Sequence, residues 1–140
     1  MRGFSLIESV LSMTIIAAGF IGIVTAFQGS AQSSLLADQT ITATYLASGT
    51  LDRIFARRDT NGYTTTVAYI NAENYDQNPV SGFSNYVLTA TALEVDPDAD
   101  AGNDDFLDSS PSSGYARVTV SISWDSGARS ISLASLITDY

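Results

Sequence analysis

Cysteine and histidine are both missing from this 140-residue chain. Without cysteine, neither a disulfide nor a thiolate metal site can staple the fold or carry redox chemistry. Without histidine, the commonest general base near neutral pH and the commonest transition-metal ligand are gone, which excludes most hydrolase triads and zinc sites. Lysine is missing as well: the six basic residues are all arginine, against fifteen Asp and Glu, for a net charge of −9. Arg53, Arg57 and Arg58 cluster while Arg2, Arg117 and Arg129 are scattered, so no basic stripe is available to neutralise phosphates. No nucleic-acid partner is expected. Proline is scarce too, with three in the chain and the first at Pro79.

What is present begins with a long apolar run. Residues Phe4 to Phe27 read FSLIESVLSMTIIAAGFIGIVTAF, about the twenty apolar residues that a membrane-spanning helix needs. Its only charge is Glu8, and none follows until Asp38. A secretory signal peptide has a basic start, a shorter apolar core and a small-residue cleavage site after it. This run is longer, and no convincing small-x-small site follows Ala26. As an anchor it is ordinary except for Glu8, because a carboxylate in the apolar region costs on the order of 2.5–3.5 kcal/mol on insertion scales. Such a residue needs a partner or a functional reason, and no cation within the same helix supplies one.

Gly3-Phe4-Ser5-Leu6-Ile7-Glu8 closely resembles the Gly-Phe-Thr-Leu-Ile-Glu signature of class III signal peptides, found in type IV pilins and type II secretion pseudopilins. The resemblance implies a leader of residues 1–3, removed by a prepilin peptidase between Gly3 and Phe4 on the cytoplasmic side of a bacterial inner membrane. N-methylation of the Phe4 amine follows. It also implies that Glu8 pairs with the Phe4 ammonium of a neighbouring subunit, so that two charges costly in lipid are compensated only on assembly. Glycine suits the scissile position, since it leaves the carbonyl unhindered. One departure from major pilins is the missing proline in the second half of the apolar run. Gly19 and Gly22 either soften the helix there or permit close helix packing.

Beyond Phe27 the chain turns polar, and Ala43, Ala47, Leu51, Ile54 and Phe55 recur at helical spacing. This predicts an amphipathic continuation over 28–58, ending near Arg57 or Arg58 after roughly fifty residues and about 75 Å. The terminal arginines complement the negative end of the helix dipole. Residues 59–140 are then a β-rich head. Tyr63 to Ile70, rich in Thr, Tyr and Val, is predicted as a strand, as is Tyr86 to Val95, with a loop over Asn71 to Asn85 between them. In Tyr115 to Trp124, Ala116, Val118, Val120, Ile122 and Trp124 alternate with polar residues, giving the clearest strand. Asp125-Ser126-Gly127 supplies a turn, and Ile131, Leu133, Ser135 and Ile137 return as an antiparallel partner with one face buried against the helix. The expected class is α+β: a long N-terminal helix laid on a small antiparallel sheet, as the pilin resemblance also implies. The terminal Val-x-Val-x-Ile-x-Trp hairpin resembles those of minor pilins of the PilV and MshD type.

Between two predicted strands lies Asp96-Pro97-Asp98-Ala99-Asp100-Ala101-Gly102-Asn103-Asp104-Asp105. Alternate aspartates bring hard oxygen ligands to one side of a turn, so Asp96, Asp98, Asp100 and Asp104 are candidate calcium ligands. The EF-hand pattern is only partly met: the glycine falls one position late and the distal Glu is missing. The other reading is a solvated acidic loop broken by Pro97 and Gly102. Three functional classes follow. The first is an assembly subunit, a minor pilin or pseudopilin whose partners are other subunits, the peptidase and the inner membrane, and whose place after assembly is a surface pilus or a periplasmic pseudopilus. The second is a membrane-anchored extracytoplasmic binding module using the acidic loop or Tyr63, Tyr69, Tyr75 and Trp124. The third, a hydrolase using Asp104 and Asp105, lacks the fixed carboxylate separation that such chemistry needs, so no enzyme is expected.

Overall fold

The structure is a computed structural model that describes residues 5–96 and 112–139. Its elements in order are α1 (Leu6–Asn61), α2 (Tyr63–Asn71), β1 (Tyr86–Glu94), β2 (Tyr115–Trp124) and β3 (Arg129–Thr138). The chain divides into two compact units, Met1–Gln39 and Thr40–Tyr140, and α1 contributes to both.

In the first unit α1 is uninterrupted, as expected of a stretch without proline. Ser12, Thr14, Thr25 and Ser33 are satisfied within the helix: Ser12 Oγ donates to the Glu8 carbonyl at 2.8 Å and Thr25 Oγ1 to the Gly22 carbonyl at 2.9 Å. Hydroxyls bonded back in this way present no unpaired donor to an apolar surrounding.

In the second unit Ala43, Ala47, Thr50 and Ile54 are the buried face of α1. Two of them are alanine, and Ala43, Ala47 and Ile54 belong to one core with the buried residues of the sheet. Thr50 is tolerated there because its hydroxyl donates to the Leu46 carbonyl at 2.9 Å. The helix runs past Arg58 to Asn61, three residues beyond the expected end. Gly62 stops it, with φ 82 and ψ 166, a conformation that L side chains avoid. The same glycine carbonyl accepts Thr66 N and Thr66 Oγ1, starting α2 at once.

That second helix is a correction. Tyr63 to Ile70 is helical, where the Thr, Tyr and Val content had predicted a strand. Its buried residues are Tyr63, Thr66, Val67 and Ile70, a spacing of three and four that only a helix brings onto one face. Burial of that face outweighs the modest intrinsic preference of β-branched residues.

The sheet is antiparallel in the order β1-β2-β3. Trp124 pairs with Tyr86 across β1 and with Arg129 across β3. The central strand β2 buries alternate residues from Ala116 to Trp124, the face that its period-2 pattern predicts. In β1 the buried set is Tyr86, Leu88, Ala90 and Ala92, so the larger Val87 and Leu93 lie on the outer face. In β3 only Ile137 is fully buried, while Ile131 and Leu133 are partly covered by the core. Ile54, Ile70, Val118, Val120 and Ile122 are fully buried at the centre of this core. Each such side chain contributes about 1.5–3 kcal/mol by transfer from water.

The segment between α2 and β1 has the loop character expected, and it also covers the outer edge of β1. Gln77 and Leu88 exchange backbone hydrogen bonds at 3.0 and 2.9 Å, and Val80 N donates to the Tyr86 carbonyl at 2.8 Å. Side chains complete the cover. Asp76 Oδ1 accepts Ala90 N at 2.9 Å, and Asn71 Oδ1 accepts Ala92 N at 3.1 Å. An open strand edge is a template for unwanted pairing, and here its donors are already taken.

Candidate functional site

Among the described residues one helix is long and apolar enough to cross a membrane, and it lies at the N-terminus. Its large apolar residues are exposed, among them Leu6, Ile7, Leu11, Ile15, Phe20 and Phe27. A contiguous apolar surface of this extent is not sustained in water, so lipid or other helices must cover it. Glu8 sits in the first turn of α1, where its charge is favourable to the helix dipole, worth about 0.3–1 kcal/mol. It is exposed, and among the described residues no side chain partners its carboxylate. The other residues of the motif, Gly3 and Phe4, lie outside the described residues.

So do Asp98, Asp100 and Asp104 of the proposed calcium set. Asp96 is described and half-buried after the end of β1. Among the described residues no group of three carboxylates is placed to hold a metal.

Two of the four aromatics considered as ligand-binding surface are core residues, which corrects that reading. Tyr63 is 6% exposed and Trp124 is 5% exposed. Trp124 packs beside Tyr86 with ring centroids 6.0 Å apart. Tyr63 donates its hydroxyl to Glu94 Oε1 at 3.3 Å, and Glu94 Oε2 accepts Ser112 N at 3.1 Å. Burial, then the Glu94 charge and its hydrogen bond, push the Tyr63 phenol up to about 12, with Asp139 adding in the same direction.

Tyr69 and Tyr75 are half-buried and belong to a cluster that composition alone did not reveal. Their rings meet edge to face at 5.4 Å, and the Arg57 guanidinium lies over Tyr69 with Cζ 3.4 Å from the ring centroid. Arg57 Nε is buried there without a hydrogen-bond partner, held by the ring face instead. Burial pushes the Tyr75 phenol up, against the opposing pull of Arg57 and, more weakly, Arg53. A sequence signal existed, since Arg53 and Arg57 are four apart on one helical face, but their aromatic neighbours come from α2 and the segment after it. Arg58 does a different job: Nε donates to the Thr138 carbonyl at 2.9 Å and a terminal nitrogen to Thr138 Oγ1 at 3.2 Å. It ties the end of α1 to the end of β3, in addition to the dipole role expected of it.

No protein-family model, no curated protein and no solved structure matches the chain.

Proposed function

We propose that this chain is a structural subunit of the type IV pilin and type II secretion pseudopilin superfamily, of the minor-subunit kind. The observation that carries the reading is Glu8: the single charge on an exposed apolar helix, standing in the Gly3-Phe4-Ser5-Leu6-Ile7-Glu8 motif. A carboxylate without a local partner on a helix suited to lipid is costly until another subunit brings it a cation, and the Phe4 ammonium left by cleavage after Gly3 has the right charge. The α+β head, with a helix packed on a three-stranded antiparallel sheet, agrees with this class of subunit. The work of the chain is therefore assembly rather than catalysis. It resides in the bacterial inner membrane, with the head outside the cytoplasm, until it enters a pilus or a periplasmic pseudopilus. Mass spectrometry of the N-terminal peptide tests the proposal: the mature chain starts at N-methyl-Phe4. An intact Met1 in an assembled filament, or cleavage after Ala26, refutes it.

A further inference from the structure

Arg53 and Arg57 stand one helical turn apart on α1 in a chain with fifteen acidic residues, yet no carboxylate pairs with either among the described residues. Arg57 is already held against the Tyr69 ring, which leaves Arg53 as the exposed member of a like-charged pair four apart on a helix, with no carboxylate among the described residues to offset the repulsion. Arg53 also lines a cleft of about 280 Å³ between α1 and the segment that covers β1. Val80 and Leu88 give that cleft an apolar lining, and Tyr45 and Phe83, 75% and 42% exposed, also line it. On the helix side stands Gly49, where an added Cβ would meet nothing within 4 Å. Glycine within a helix is less stable than alanine, so this position gives up helix stability and keeps the cleft open.

The geometry points to this cleft as a docking groove for an acidic peptide segment of a partner protein, one apolar side chain entering beside Tyr45 and Phe83 and a flanking carboxylate meeting Arg53. Size favours a peptide. The cleft lies just below the roughly 300–1,000 Å³ of small-molecule sites and suits a single large side chain. Charge favours an acidic one, because Arg53 attracts a carboxylate at the cleft while the net charge of −9 repels it elsewhere. An anionic headgroup would meet Arg53 and leave the apolar cleft unfilled. The inference concerns the head alone and does not rest on the assembly reading.

The test is calorimetric titration of the full chain in uncharged detergent micelles with acetyl-Glu-Glu-Phe-Glu-Glu-amide, beside the same peptide with Gln for Glu. The acidic peptide binds saturably, and its affinity falls as salt is raised. Arg53→Gln weakens it about fivefold, as loss of a partly exposed ion pair does. Gly49→Leu abolishes binding, and because the site has room for a side chain its head melts no lower than that of the native protein. Glycerophosphoglycerol, the soluble headgroup of an anionic lipid, binds at least tenfold more weakly than the peptide. Equal binding of the two peptides overturns the proposal, as does native affinity in Gly49→Leu. So does a headgroup affinity matching that of the peptide, which would make Arg53 a simple anion site.

Discussion

Alkaline titration of Tyr63 isolates a buried polar contact in the head. The phenol is 6% exposed and donates to Glu94 at 3.3 Å, and its pKa rises from 10.0 to about 12. Ionising it would place a phenolate beside the Glu94 carboxylate, with Asp139 adding repulsion. The folded state thus holds the phenolic proton more tightly than the unfolded chain. The stabilisation is fully present below pH 10 and is lost as pH rises from 10 through 12. Two pH units at 1.36 kcal/mol each give a loss of up to about 2.7 kcal/mol. Tyr63→Phe removes both the titration and the hydrogen bond, at a cost near neutrality of about 0.5–1.5 kcal/mol. The variant is therefore less stable than the native protein at pH 8, and the order reverses above about pH 11. Trp124, the single tryptophan, is buried in the same core, so its fluorescence reports unfolding of the head in urea at each pH. Subtracting the variant from the native curve removes the other tyrosines, including Tyr75. A difference between the two that stays constant from pH 8 to 12 refutes the reasoning.

Three further outcomes follow from other parts of the chain. Glu8→Ala leaves membrane insertion intact or improves it by up to the roughly 2.5–3.5 kcal/mol that a carboxylate costs in lipid, while the variant accumulates in the inner membrane; its normal recovery in sheared filaments counts against the assembly role. Asp76→Ala strips the acceptor from Ala90 N and costs about 1 kcal/mol, lowering the melting midpoint of the head by about 4–8 °C, whereas Asp76→Asn keeps an acceptor oxygen and restores most of it. If both variants melt alike, edge cover by that side chain is not what holds β1. Calcium at a hundredfold excess over its dissociation constant stabilises the head by about 2.7 kcal/mol if Asp96, Asp98, Asp100 and Asp104 ligate it, and Asp98→Ala removes the gain. Coincident midpoints in calcium and in chelator leave the segment a solvated loop.

The sequence by itself determined the features that a local pattern can encode. An unbroken apolar run with one carboxylate specifies an exposed helix and singles out Glu8, because neither property depends on what lies nearby in space. Strict alternation from Ala116 to Trp124 specifies the central strand and its buried face, since side chains in a strand alternate sides whatever the partner is. Tertiary structure decided the rest. Tyr63 to Asn71 is a helix because Tyr63, Thr66, Val67 and Ile70 find a core to cover, although β-branched residues favour a strand when judged alone. Whether Tyr63, Tyr69 and Tyr75 face water or core depended on which elements pack over them, which composition does not state. Asp76 and Asn71 read as ordinary loop residues, yet they close the edge of β1 from 14 and 21 positions away. Arg57 meets Tyr69, and Arg53 opens onto the cleft, only after α1, α2 and the segment before β1 come together. Helix and strand periods are properties of consecutive residues, whereas the edge cover of β1, the cleft and the Arg57–Tyr69 contact join residues apart in sequence, and folding alone selects those pairs.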